Sequence, residues 1–285
     1  MPRAQIDSCV RPRLRNMADL QQQLRNAHAI NNNNAAGLHI SATTQPNMRV
    51  DFKKHSQFRF RSTGMDESVA ALEALIGVPR AAWQQITTLD LSNKDLTEVP
   101  DSIGLLGSLV TLDLTNNKLT LLPGSIGLLG SLVTLRLGGN RLTSLPSSFD
   151  RLGRLVTLAL SDNQLTSLPG SFGQLGRLVT LYLARNQLTS LPDSFSQLGS
   201  LVTLYLGHNQ LTSLPDSFVQ LGNLKELHLN SNPLVSLPSS FNQLSRLQTL
   251  HIDLRNMHSA HPATIKFLAR HKASTAHIQP RMSDG

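Results

Sequence analysis

The sequence predicts an α/β repeat solenoid: a right-handed coil with short parallel strands stacked along its concave side and a short helix closing each end. Three observations predict it. A period of 23 residues runs without insertion or deletion from Ile86 to Arg246 and continues into a partial eighth unit at Leu247. Within each period, leucines alternate with polar residues as they do in a strand with one buried face. Both ends of the array adjoin segments with helical apolar spacing. Apolar residues make up 40% of the chain but aromatics only 4%, so aliphatic side chains must build the core.

Residues 1–62 hold ten Lys or Arg against three acids, with many Gln, Asn and Ser and the run Asn31 to Asn34. Such a segment has too little apolar material to fold alone and reads as a disordered basic arm. Inside it, "MADLQQQLRNAHAI" has helical spacing, with Met17, Leu20 and Leu24 on one side, and "QFRFRS" alternates like a brief strand. The arm lacks the continuous apolar region of a secretory signal peptide, while its Arg-rich, acid-poor composition is shared with mitochondrial transit peptides. Cys9, the single cysteine, excludes an internal disulfide framework and a Cys-based zinc site.

Residues 63–85 form an expected N-terminal helical cap. In "MDESVAALEALIG", Asp66 and Glu67 suit the positive end of a helix dipole, and Val69, Leu72 and Leu75 share one face. Pro79 and Trp83 then lead into the first strand.

Residues 86–257 carry seven full repeats and one partial repeat, starting at Ile86, Leu109, Leu132, Leu155, Leu178, Leu201, Leu224 and Leu247, with the pattern LxxLxLxxNxLxxLPxSFxxLGx. In the fifth unit, Leu181 and Leu183 alternate as a strand and Leu188 and Leu191 fill the interior. Pro192 fixes the return leg, and Phe195 and Leu198 close the core on the convex side. Gly199 is expected to take a positive φ in the turn to the next unit. Asn186 stands where the chain leaves the strand, and its amide can satisfy backbone groups that the turn leaves unpaired. With Asn117, Asn140, Asn163, Asn209 and Asn232 it forms an expected ladder through the stack. One unit cannot bury its own apolar face, so stability must come from stacking.

The repeat resembles the leucine-rich repeat family, and the resemblance covers about 170 of the 285 residues. It implies a horseshoe-shaped protein-binding scaffold. The disordered arm ahead of an array with the "LTSLP.SF" signature also resembles leucine-rich effectors of plant-pathogenic bacteria. That resemblance implies type III secretion into a host cell, a secretion chaperone at the arm and a host protein as target. Alternatives are the substrate-recognition part of a ubiquitin ligase effector and an intracellular scaffold binding small GTPases, with a cytoplasmic location. Only about 28 residues follow the last strand, and no cysteine follows Cys9, so neither ligase chemistry of such effectors is expected here.

Residues 258–285 form an expected C-terminal cap helix and tail, with Pro262 at a first helical position and Ile265, Leu268 and Ala269 on one side.

Individuality is confined to the positions that flank the strand leucines and face solvent. The position between the leucines reads Asp90, Asp113, Arg136, Ala159, Tyr182, Tyr205, His228 and His251. Threonine stands two places earlier except at Glu226, and next to the asparagine ladder come Asn93, Asn116, Gly139, Asp162, Arg185, His208 and Ser231. From these columns the expected partner-binding residues are Asp113, Arg136, Tyr182, Arg185, Tyr205, His208, Glu226, His228 and His251. Tyrosines offer rigid contact area with a polar tip, which suits a protein interface. His228, His251, Glu226, Asp253 and His208 are of metal-ligating type, but their place on the concave face reads as partner contact, so no metal or cofactor is expected. No nucleophile with a base, phosphate loop or carboxylate cleft is recognisable, so the expected product is a binder rather than an enzyme, acting as a monomer. Residues 86–246 balance ten bases with ten acids, which is unlike a nucleic-acid groove. No stretch approaches the roughly 20 apolar residues that span a bilayer.

Overall fold

The computed structural model describes residues 38–41, 64–271 and 279–280. The helical and strand patterns at residues 17–30 and 57–62, and Cys9, lie outside them. A strand the sequence did not announce, Leu38–Ser41 (β1), stands at the edge of the sheet beside the first repeat strand. The N-terminal cap is a helix, Met65–Ile76 (α1), followed by a 3-10 turn at Arg80–Gln85. Eight repeat strands follow, Ile86–Asp90 (β2), Thr111–Asp113 (β3), Thr134–Arg136 (β4), Thr157–Ala159 (β5), Thr180–Tyr182 (β6), Thr203–Tyr205 (β7), Glu226–Leu229 (β8) and Thr249–Ile252 (β9). They pair in parallel in chain order, and the register matches residues 23 apart throughout. A two-residue strand, Ser259–Ala260 (β10), then pairs in parallel with Gln279–Pro280 (β11), and Pro262–Arg270 (α2) lies between them.

The return legs on the convex side are single 3-10 turns, so among the described residues only α1 and α2 are α-helices. Proline explains the choice. Pro192 has φ −67° and ψ 151°, an extended entry after which the Phe195 N–H reaches the Pro192 carbonyl at 2.9 Å. The Leu198 N–H then bonds the Phe195 carbonyl at 3.2 Å, and the leg is too short to continue as a helix.

The core is one continuous column of leucines with a spine of buried rings: Phe149, Phe172, Phe195, Phe218 and Phe241. Phe172 and Phe195 stack at 6.1 Å, and Phe195 and Phe218 at 6.3 Å. At the N-terminal end, Ser102 N–H donates to Ser68 Oγ at 2.7 Å while its hydroxyl donates to the Ser68 carbonyl at 2.6 Å, which fastens α1 to the first return leg. At the other end Phe267 of α2 meets Phe241 edge-on at 5.9 Å. The His261 ring nitrogen accepts the Ala263 N–H, so the helix that starts at Pro262 is capped by a side chain.

All six ladder asparagines are buried, and each joins its own unit to the one before. Asn186 Nδ2 donates to the Leu183 carbonyl at 3.1 Å and to the Leu160 carbonyl at 3.0 Å, while Oδ1 accepts the Leu165 N–H at 3.0 Å.

The left-handed turn is elsewhere than expected. Gly199 is not among the positive-φ residues, and a Cβ added there would meet only the Gln197 carbonyl at 4.0 Å. Apart from Gly77 at the end of α1 and Asp95 in the first unit, the positive φ values fall beside the ladder, at Asn93, Asn116, Gly139, Asp162, Arg185, His208 and Ser231, with φ between 56° and 66°. There the chain must leave the strand within one residue and still present the asparagine amide inward. Asn, Asp and Gly are the residues that tolerate this conformation most readily.

Candidate protein-binding face

The register builds the site directly. β6, β7, β8 and β9 bring Tyr182 beside Tyr205, Tyr205 beside His228, and His228 beside His251. Their neighbours are buried leucines, with the half-buried Ile252 after His251, so strand alternation turns these four side chains outward. Adjacent parallel strands lie roughly 4.8 Å apart, close to ring-stacking distance, so rings in one column stack. The centroids are separated by 5.0 Å for Tyr182 and Tyr205, 4.1 Å for Tyr205 and His228, and 4.4 Å for His228 and His251. The last two pairs are nearly parallel, at 14° and 18°.

Glu226, the break in the threonine column, ties this strip together. Its Oε1 accepts the Tyr205 hydroxyl at 2.7 Å and lies 2.9 Å from His228 Nε2. A carboxylate only accepts, so His228 carries a proton on Nε2. These two hydrogen bonds, that of Tyr205 first, hold the Glu226 carboxyl below its usual range. The same bond pushes the Tyr205 phenol from 10.0 up to about 12, with burial and the charge of Glu226 adding to it. In a Tyr182→Phe background Tyr205 is the only phenol, so its ionisation can be followed by ultraviolet absorbance. We expect an inflection about two pH units above the ordinary value, moved back toward 10 by Glu226→Gln. The folded phenol value is the raised one and the folded carboxyl value the lowered one. The hydrogen bond's contribution to stability is therefore complete between the carboxylate range and pH 10, fades as pH rises through about 12, and is lost again as Glu226 takes up a proton in acid. The same inflection with and without Glu226 would break this assignment.

The remaining candidates are placed differently. Asp113 and Arg136 form a separate pair on β3 and β4, with Arg136 Nη1 3.5 Å from Asp113 Oδ2. Asp113 also serves its own turn, because Oδ1 accepts the Thr115 N–H at 2.9 Å. Arg185 and His208 occupy exposed left-handed positions at the exits of β6 and β7, outside the ring stack, and Arg185 Nε lies 3.8 Å from Asp162 Oδ1. Asp253 is paired with Arg255, Oδ2 to Nη2 at 2.6 Å, which lowers its carboxyl below the usual range. Among the described residues no group of three His, Cys, Asp or Glu is disposed to hold a metal, and no helix is long and apolar enough to cross a membrane.

The family model "Leucine rich repeat" matches residues 84–142, 131–188, 177–234 and 200–257. No curated protein matches the sequence. Among solved structures, an internalin (inlF) from Listeria monocytogenes is 24% identical with a TM-score of 0.60, over 70% of this chain and 58% of that one. A TDR receptor is 29% identical with a TM-score of 0.54, over 65% of this chain and 36% of the receptor. A leucine-rich repeat protein from Leptospira interrogans is 26% identical over 70% of this chain and 74% of its own, with a TM-score of 0.34. The chain thus spans less than two thirds of the internalin and of the receptor, and the internalin likeness speaks to the fold alone. The 23-residue register, the asparagine ladder and the four matched segments lead to one statement: the chain belongs to the leucine-rich repeat family.

Proposed function

We propose that this chain is a protein-interaction module that seats its partner on the concave strip formed by Tyr182, Tyr205, His228 and His251. Leucine-rich repeat arrays serve as scaffolds for protein partners, which supports the module. The observation that carries the location is the four-ring stack, fixed by Glu226, in the solvent-facing column between the strand leucines. Rigid aromatic side chains lose little conformational freedom on contact and dominate many interfaces. Replacing Tyr182 and Tyr205 together by alanine is expected to weaken partner binding by roughly 2–4 kcal/mol. The unfolding midpoint should stay close to wild type, because neither ring belongs to the leucine core. The measurement is affinity capture of the partner, then titration of wild-type and doubly substituted protein. Full affinity after the double substitution, with loss after a convex-side change at Arg151 or Arg177, would move the site off this face.

From the composition of residues 1–62 we also infer that the arm is an export signal for type III delivery into a host cell, where the partner resides. Its ten bases against three acids and its many Gln, Asn and Ser suit a segment read without a folded core. A reporter fused to residues 1–60 should be translocated by a type III-competent bacterium, and residues 61–285 alone should not. Equal translocation of both removes the arm from the account, and import of the fusion into mitochondria would make it a transit segment.

A further inference from the structure

The ring stack stops at Ala159, and we infer that the partner inserts one flat aromatic side chain there, between Tyr182 and Arg136. The inference rests on the strip being the binding face. Register pairs Arg136 with Ala159 and Ala159 with Tyr182, so the three residues are consecutive rungs of the column that carries the rings. Tyr205 covers one face of Tyr182, and the other face looks across a rung that carries only a methyl group. Beside that rung stand small residues: Ser161 just past the end of the strand, Gly138 one unit before and Ala184 one unit after.

Arg136 forms the opposite wall. Its guanidinium leans away from Ala159 toward Asp113, Nη1 to Oδ2 at 3.5 Å, and its side chain is 49% exposed. Tyr182 and Arg136 are two strand spacings apart, roughly 10 Å. A ring standing midway would sit about 5 Å from the Tyr182 rung and from the Arg136 rung, the spacing the existing rings already keep, and the exposed Arg136 side chain would turn from Asp113 to cover it.

The chemistry of the walls selects the occupant. Tyr182 offers a ring face for stacking, and Arg136 offers a cation to the face on the other side. A carboxylate would be drawn to Arg136 but would find Asp113 beside it and gain nothing from Tyr182. A cation would meet Arg136 as a like charge. An aliphatic group would fill the volume without using either wall. A Phe, Tyr or Trp exposed on the partner's surface satisfies both.

The probe is N-acetyl-tryptophanamide, titrated into the full chain with methyl-labelled alanine and followed by NMR, with N-acetyl-leucinamide as control. The expected result is a saturable ring-current shift of the Ala159 methyl by the tryptophan amide and little by the leucine amide. Arg136→Gln should weaken the probe by about two- to fivefold. Ala159→Phe should abolish its binding by filling the rung from within, without unfolding, because the same position already carries Tyr182 and Tyr205 in the next two units. An Ala159 shift equal for both amides, or probe binding by Ala159→Phe at wild-type strength, would overturn the inference. Titration of the natural partner separates the two levels. Affinity lost in the Tyr182/Tyr205 double substitution but kept in Ala159→Phe leaves the strip standing and removes the inserted ring. Affinity kept in both removes the strip itself, and affinity lost in both is the expected outcome.

Discussion

Asn163→Ala is expected to lower the unfolding free energy by about 2–4 kcal/mol, among the largest effects available to one substitution in this chain. Asn163 Nδ2 donates to the Leu137 carbonyl at 2.9 Å and to the Leu160 carbonyl at 3.1 Å, and Oδ1 accepts the Leu142 N–H at 3.0 Å. Alanine would leave these groups in a leucine interior, where the asparagine itself is 7% exposed. An orphaned buried polar group costs about 1–3 kcal/mol, and more than one is orphaned here. Asn163→Asp makes the reading sharper. It retains an acceptor for Leu142 but replaces the donor with a second acceptor facing the two carbonyls, so it should be no more stable than alanine. A denaturation midpoint unchanged in Asn163→Ala, or fully restored in Asn163→Asp, would show that the amide is not a bridge between units.

Gly173→Ala is expected to cost on the order of 1–3 kcal/mol, the range of overpacking in a rigid setting. An ideal Cβ at Gly173 would lie 1.8 Å from the Ser194 carbonyl oxygen of the next return leg, and backbone cannot swing aside as a side chain can. The comparison lies within the same repeat. At Gly170 and Gly176 an added Cβ meets nothing within 4 Å, and neither has a positive φ. Alanine at those two positions should be neutral or stabilising by roughly 0.4–1 kcal/mol, through a less flexible unfolded chain. Thermal unfolding of the three variants decides it. If Gly173→Ala melts with the other two, the return legs are not packed as closely as this contact requires.

These two positions also mark how far the sequence could be read. Leu181, Leu183, Asn186 and Phe195 recur at constant spacing in the central units because each packs against or bonds the neighbouring unit at the same place, and that spacing exposes them. The left-handed column was in plain sight as Asn93, Asn116, Gly139 and Asp162, a set united by tolerance of positive φ. Arg185 and His208 disguised it, since they look like variable contact residues, and the glycine that recurs at the Gly199 position up to Gly222 drew the turn to itself. Gly104, Gly127 and Gly173 went unread for the opposite reason. Their neighbouring units carry Asp150 and Ser196 at the same place, so a requirement set by the local approach of two legs resembled random drift. At the candidate face, the column Tyr182, Tyr205, His228 and His251 was legible from strand alternation. The grip of Glu226 on Tyr205 and His228 was not, because it depends on side-chain rotation that spacing does not encode. Ala159 was passed over because a small residue between large ones acquires meaning only when the walls on either side are known.

Every ladder asparagine reaches backward. The groups it satisfies beyond its own unit belong to the unit before, as with Asn209 and the Leu183 carbonyl and Leu188 N–H. The array therefore has a direction, and the ladder position of the first unit holds Lys94 in place of asparagine. A duplicated stretch of 23 residues arrives with an amide for the unit behind it and with acceptors for the unit ahead, wherever in the array it is spliced. As far as the ladder is concerned, such a segment can be multiplied without compensating change at its junctions. Each new copy adds one more rung to the concave column, so lineages carrying this array can lengthen their contact surface before they begin to vary it.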